Sequence, residues 1–188
     1  MAAWFTDDMP APGTTTKSDE RRRLVIKAAL SCFARKGFYG TTTGEIAQQA
    51  GISQPYVYHL FPDKQSLFVQ TVEHVSHLLT EALRAPVATA GVEAQEGAGQ
   101  MLRGAYGALI KDRDVMRFLM QANCVDEPVI RDAVRACYAA QVSTVSARLD
   151  GNRQAVRDWF AAGMLDNVVA SLGLAELDTE WARTLSGV

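Results

Sequence analysis

The sequence predicts an all-α protein: a three-helix head containing a helix-turn-helix, followed by a longer helical body. Three observations carry that expectation. Apolar residues recur at helical spacing along most of the chain, and the β-branched residues are not gathered into the short alternating runs that mark strands. The stretch from Thr41 to Leu67, TTTGEIAQQAGISQPYVYHLFPDKQSL, reads as two short helices around a tight turn and the start of a third. Charge is also unevenly divided. Residues 17–64 hold eight Lys or Arg against four Asp or Glu, whereas residues 65–188 hold eleven against fifteen. A basic amino-terminal part on an acidic remainder suits a module that meets a polyanion, carried on a body that does not.

The first 20 residues, rich in Pro, Thr, Gly and Ala, have no apolar core segment and contain acids, so they read as a floppy tail rather than a secretory signal. Trp4 and Phe5 are its only aromatic groups and could dock on a surface, with a floppy tail the plainer reading. A first helix is expected over 20–36, with Arg21, Arg22 and Arg23 as a basic cluster: an ordinary solvated face, or a place for phosphate contact. A second follows over 43–50. Thr42 is its N-cap, and Glu45 three residues on gives the capping-box spacing. Ile46, Ala47 and Ala50 form its buried side, and Gly51 ends it in a left-handed conformation that costs glycine little.

Ser53 is the expected cap of a third helix, 54–60, with Pro55 in its first turn, where a missing N–H does no harm. This helix hides Val57 and Leu60 and exposes Gln54, Tyr56, Tyr58 and His59. A short helix, a glycine turn and a helix with polar and aromatic tips form the helix-turn-helix pattern of DNA readers. Asp63 is the N-cap of a long fourth helix to about residue 83, and Ala85-Pro86 breaks it. The Ala-, Gly- and Glu-rich stretch 88–99 runs as a loop into a fifth helix, 93–111, whose glycines weaken it or else allow close helix packing. Residues 112–114 punctuate, and a sixth helix spans 115–124. Asp126-Glu127-Pro128 opens a seventh to about residue 149, Asp150-Gly151-Asn152 turns, and an eighth covers 153–172. Asp178 is the expected cap of a short last helix to about residue 185. The resulting organisation is a disordered tail over 1–17, a helix-turn-helix DNA-binding domain over 18–64, and a helical effector-binding and dimerisation domain over 65–188.

The segment GTTTGEIAQQAGISQPYVYHLFPDKQSLF resembles the DNA-binding signature of the TetR family of transcriptional regulators. The pattern is met by Thr41, Thr42, Ile46, Ala47, Ala50, Gly51, Ile52, Ser53, Tyr58, Phe61, Lys64 and Leu67. The preceding helix is similar too, through Ala28, Ala29, Phe33, Gly37 and Phe38. The likeness covers roughly residues 20–75. It departs at Thr43, where the family usually has an aliphatic residue, and at Gly44, where it usually has a charged one. A glycine in a first helical turn costs about 1 kcal/mol against alanine.

The resemblance implies a homodimeric, cytoplasmic regulator, a repressor that binds a palindromic double-stranded operator and is released by a small, hydrophobic ligand. The DNA contacts would be Thr42, Thr43, Gln54, Tyr56, Tyr58, His59 and Lys64. Gln54 suits paired hydrogen bonds to adenine, Tyr56 suits a thymine methyl or a phosphate, and Lys64 resembles the family's phosphate anchor. Thr42 and Thr43 offer hydroxyls and N–H groups at a helix amino end. Pocket candidates in the body are His74, His77, Leu78, Tyr106, Ile110, Met116, Phe118, Leu119, Met120, Cys124, Tyr138, Trp159 and Phe160, a mix of aromatic, sulfur and sparse polar groups that suits an apolar cavity. Each has core packing as its plainer reading. The fourth helix, with the anchor at one end and His74 and His77 at the other, is the expected lever. Dimer candidates are Val156, Gly163, Met164, Val168, Leu172, Trp181 and Leu185, since apolar residues fall on more than one face of the eighth helix.

Other classes find little support. There is no G-x-S-x-G, HExxH, P-loop or dinucleotide-binding glycine pattern, so no enzyme and no cofactor is expected. His74 and His77 share a helix face but lack a third ligand, so no metal is expected. No apolar run is long enough for a membrane span. Cys32, Cys124 and Cys137 form no CxxC pair, which suits a reducing compartment. A thiol sensor acting through Cys124 or Cys137, or a DNA-binding protein without any ligand, are the alternatives.

Overall fold

A computed structural model describes residues 17–84 and 94–187, and among these every regular element is helical. The tail expected over 1–17 lies outside the described residues except for Lys17, which opens the first helix. The break at Ala85-Pro86 and residues 88–93 of the expected loop lie outside them as well.

α1 (Lys17–Gly40) runs straight to Gly37, where φ of +68° and ψ of −179° bend the chain. A side chain at Gly37 would be strained, and its Cβ would stand 2.8 Å from Oε1 of Gln121. Thr41 secures the bend: its buried hydroxyl donates to the Gly37 carbonyl at 2.8 Å. α2 (Thr43–Ala50) opens with the full capping box. Thr42 Oγ1 accepts from the Glu45 N–H at 3.2 Å, and the Thr42 N–H donates to Glu45 Oε2 at 2.9 Å. It closes on Gly51, left-handed at φ +68°. α3 (Gln54–Leu60) has Pro55 in its first turn. Ser53 occupies its N-cap position but makes no capping hydrogen bond, so proline geometry and the turn start this helix.

α4 (Lys64–Arg84) starts after Asp63, whose carboxylate accepts from the Ser66 N–H at 2.6 Å. Those hydrogen bonds from Ser66 hold the Asp63 carboxyl below its usual range. α5 is Ala94–Ile110 and α6 is Arg113–Ala122, capped by Asp112. α7 (Pro128–Arg148) begins on its proline. α8 (Arg153–Leu172) is capped by Asn152 Oδ1, which accepts from the N–H groups of Gln154 and Ala155, both at 3.1 Å. A 3₁₀ turn (Leu174–Glu176) leads to α9 (Glu180–Ser186). Its N-cap is Thr179 rather than the expected Asp178, whose carboxylate is drawn away by an ion pair with Arg183.

One apolar core runs from head to body. Its centre is an aromatic cluster. Phe33 of α1 meets Phe68 of α4 edge-on at 4.7 Å between ring centroids, and Phe118 of α6 lies 5.0 Å from Phe68. All three are fully buried. α6 packs along α1 and α4 packs along α7, so the head is seated on the body by α6 as well as joined to it through α4. The chain has no described helix long and apolar enough to cross a membrane.

Candidate nucleic-acid interface and body cleft

α3 presents Gln54, Tyr58 and His59 outward, while Val57 and Leu60 anchor it to the core. The exposed tips are not loose. Gln54 Nε2 donates to Thr43 Oγ1 at 2.9 Å, and the same hydroxyl is hydrogen-bonded to Tyr58 OH at 3.0 Å. One threonine at the start of α2 therefore positions two groups on α3. Thr43, expected to meet a phosphate, is 6% exposed and its hydroxyl is engaged in both of these bonds. Gly44 lies beside the Gln54 amide: a Cβ there would stand 3.7 Å from Oε1, an ordinary van der Waals contact.

Tyr56 is half-buried, stacked on His59 at 5.7 Å and covered by the Arg21 guanidinium 5.5 Å above its ring. Arg22 turns inward, donating to Gln70 at 3.0 Å and lying 4.8 Å from the Phe61 ring centroid. Lys64 is also half-buried. Its ammonium donates to the carbonyls of Phe38 at 2.8 Å and Thr41 at 3.1 Å, and lies 4.5 Å over the Phe38 ring. It ties the end of α1 to the start of α4, so two of its three donors are spent inside the head. Thr42 is exposed, with its hydroxyl in the capping box. Lys36 pairs with Glu45, and that bond together with the Thr42 N–H lowers the Glu45 pKa to about 2.

In the body, a narrow cleft with a cavity volume of about 20 Å³ lies between α5, α6, α7 and α8. Of the candidates named from sequence, Tyr106, Leu119, Tyr138, Trp159 and Phe160 line it. Gly163 and Met164, named from sequence as dimer candidates, also line it, and Asn123, Gln141 and Asn167 complete it; these three were missed, being polar residues with no local signal. Tyr106 donates to Asn167 Oδ1 at 2.9 Å, and burial raises the Tyr106 pKa to about 12 against the lowering effect of that bond. Asn123 Nδ2 donates to Tyr138 OH at 3.1 Å. Gly163 allows close approach, its Cβ position lying 3.4 Å from the Tyr106 ring.

The remaining candidates lie elsewhere. Met116, Phe118 and Ile110 are core. Leu78 and Met120 pack partly buried against it. His74 and His77 are exposed on α4, and partial burial followed by the neighbouring His77 lowers the His74 pKa. Cys124 is exposed in a groove with Arg35, Arg117 and Gln121. Cys32 and Cys137 are buried, and burial pushes the Cys32 thiol up, away from thiolate. Val156 and Gly163 face the chain's own core, whereas Met164, Leu172, Trp181 and Leu185 are exposed and Val168 is half-buried. Leu165 and Leu177 extend the exposed set.

The sequence profile of the bacterial regulatory proteins of the tetR family matches residues 25–71. The HTH-type transcriptional activator FasR of Mycolicibacterium smegmatis is 28% identical over 138 residues, 71% of this chain and 60% of that protein. The HTH-type transcriptional regulator HbdR of Aromatoleum sp. is 28% identical over 137 residues, 64% of this chain and 59% of that one. The chain thus spans about 60% of the length of these relatives. Among solved structures, a tetR-family transcriptional regulator from Streptomyces coelicolor superposes with a TM-score of 0.63 at 24% identity, covering 90% of this chain and 77% of its own. The likeness to it is one of fold.

Proposed function

Because the chain belongs to the TetR family through its amino-terminal head, we propose that it is a regulator that binds a palindromic operator as a homodimer and lets go when a small ligand fills the body cleft. The observation that carries the reading is α3. Gln54, Tyr58 and His59 stand on one outward face, and Thr43 holds two of them in place before any DNA arrives. Side chains ordered in advance lose less entropy on binding. The amide geometry also fits. One N–H of Gln54 is given to Thr43, and the other N–H together with Oε1 forms the donor–acceptor pair that matches adenine in the major groove.

Pairing of two chains is supported by the exposed apolar face of α8 and α9, where Leu172 is 62% and Trp181 54% exposed. Release is supported by α6. Its Leu119, with Asn123 just past its end, lines the cleft, while Phe118 and Gln121 face α1 at Phe33 and Gly37. A ligand that displaces α6 would therefore move the helix on which the head is seated, without needing the exposed histidines of α4. It does so only to the extent that it binds the displaced arrangement better. Regulation can be read out in either direction. FasR is named an activator, and release from an operator raises or lowers transcription according to where the operator lies.

Selection from random duplexes tests the reading. The expected result is a palindrome, because a two-fold dimer presents two recognition helices. Gln54→Ala should relax preference at one base pair in each half-site, at about 1–3 kcal/mol. Enrichment of single strands, or of no sequence at all, overturns the proposal.

A further inference from the structure

Beside the body cleft lies an unmet demand that points to what should fill it. The indole N–H of Trp159 is wholly buried, and no acceptor among the described residues reaches it. Trp159 itself is 6% exposed and lines the cleft. An indole nitrogen can only donate, so the group that satisfies it must be an acceptor. A buried donor left unpaired is a standing cost, which a bound acceptor removes.

The neighbouring polar groups point the same way. Asn167, 4% exposed, has its oxygen occupied by the Tyr106 hydroxyl, which leaves its amide nitrogen as a second donor. Gln141 donates to Cys137 Sγ at 3.2 Å, which leaves its oxygen to accept. Among the described residues no Lys, Arg, His, Asp or Glu lines the cleft. The charges near it, Arg103 and Asp166, are bound to each other at 2.7 Å. The Tyr106 phenol, with its pKa raised by burial, stays neutral. A bare carboxylate or ammonium entering this space would lose its hydration with no opposite charge to receive it. The apolar walls are ring faces: Trp159 and Tyr106 meet edge-on at 5.6 Å, and Trp159 and Phe160 at 5.0 Å.

We propose that the cleft between α5, α6, α7 and α8 binds an uncharged, ring-bearing molecule with a carbonyl-type acceptor, received by the Trp159 indole N–H with the Asn167 amide beside it. The proposal rests on the reading of the body as an effector domain. It goes beyond that reading by naming the ligand's chemistry. A second cleft, with a cavity volume of about 20 Å³ against Leu83, Met101 and Arg148, offers no such buried, unpartnered donor among the described residues.

The test uses the full chain labelled with ¹⁵N-tryptophan and three probes of matched size: acetophenone, ethylbenzene and benzoate. Trp159→Phe identifies the Trp159 indole signal. If that variant misfolds, Trp4→Phe and Trp181→Phe identify it by elimination. Acetophenone should move the Trp159 indole proton downfield and bind about five- to tenfold more tightly than ethylbenzene, the usual net worth of one neutral hydrogen bond. Benzoate should not displace it. Benzoate binding as tightly as acetophenone, ethylbenzene matching acetophenone, or an unmoved Trp159 signal overturns the proposal. No DNA is needed, so the two readings can fail separately. If acetophenone engages Trp159 while the selected operator stays fully bound, the site stands and the release reading falls.

Discussion

In the head, the exposed amide of Gln54 and the hydroxyl of Tyr58 are both held by Thr43, and the Lys64 ammonium is held by two carbonyls. In the body, a wholly buried donor, the Trp159 N–H, has no acceptor among the described residues. The head keeps its polar groups satisfied although they face solvent. The body leaves one unsatisfied although it is buried. On the proposed function, a surface that matches a rigid groove gains from being fixed in advance, whereas a cavity that responds to a ligand gains from a group left unpaired. The same contrast appears in apolar surface: the head buries its phenylalanines, and the body exposes Leu172, Trp181 and Leu177 at its carboxyl end.

The largest effect is expected where the two regions share material. Phe33→Ala removes a ring packed between Phe68 and Phe118, and so loosens α1, α4 and α6 together. The cost should be about 3–5 kcal/mol. In urea, a single transition should shift for head and body alike, followed by far-ultraviolet circular dichroism and by tryptophan emission. Two separated transitions, with only one displaced, would mean that the regions fold independently and that α6 does not couple them.

What could be read in the sequence divides along the same line. The head is built from short-range agreements. Thr42 and Glu45 are three residues apart, and Gly51 closes the helix they open. Such signals sit within one window of sequence, which is why α2 and α3 match their expected bounds of 43–50 and 54–60. The Thr43–Gln54–Tyr58 link spans only 11 and 15 positions, yet it went unseen, because a hydroxyl that positions two side chains looks the same in sequence as one that contacts phosphate. The body depends on meetings that sequence does not encode locally. Tyr106 reaches Asn167 across 61 positions and Arg103 reaches Asp166 across 63. Four aromatic residues and Leu119 pointed to half of the cleft. Gln141, Asn123 and Asn167 could not be distinguished from solvated helix residues until the helices were packed. His74 and His77 attracted attention as polar groups on a long helix, but the face they occupy is the outer one.

A medium effect should separate anchoring from construction. Lys64→Ala removes two hydrogen bonds from an ammonium group to the Phe38 and Thr41 carbonyls. Charged hydrogen bonds of this kind are worth more than neutral ones, and for a half-buried group a loss of about 1.5 kcal/mol is expected. The free protein should therefore be less stable before DNA is added. Operator affinity should fall with it, and the dependence on salt should weaken by about one unit if the third donor reaches a phosphate. An unchanged denaturation midpoint with a reduced salt slope would make Lys64 a free anchor and would remove it from the head's framework.

The smallest effect concerns pH, and it isolates one end of one helix. The Glu45 carboxylate accepts from Lys36 and from the Thr42 N–H, and its pKa falls from 4.5 to about 2. A pKa lower in the folded chain than in the unfolded one means that the folded state favours the ionised form. The contribution is complete above about pH 4.5 and is lost as pH falls through about 2. Glu45→Gln keeps an oxygen for the Thr42 N–H but removes the charge and its titration. The stability gap between the natural chain and Glu45→Gln should therefore be constant above pH 5 and narrow toward pH 2, with the change concentrated in amide-exchange protection of α2. The group is exposed, so solvent screening keeps the gap small. The body cleft supplies the contrast: it is lined by no acid among the described residues, and Tyr106 titrates only near 12. Acetophenone binding, measured over the part of the acid range where the fold persists, should stay level while the α2 cap weakens. If the two decline in step, the head's cap and the body's cleft are one cooperative unit, and the division of labour between a fixed surface and an unfinished cavity is wrong.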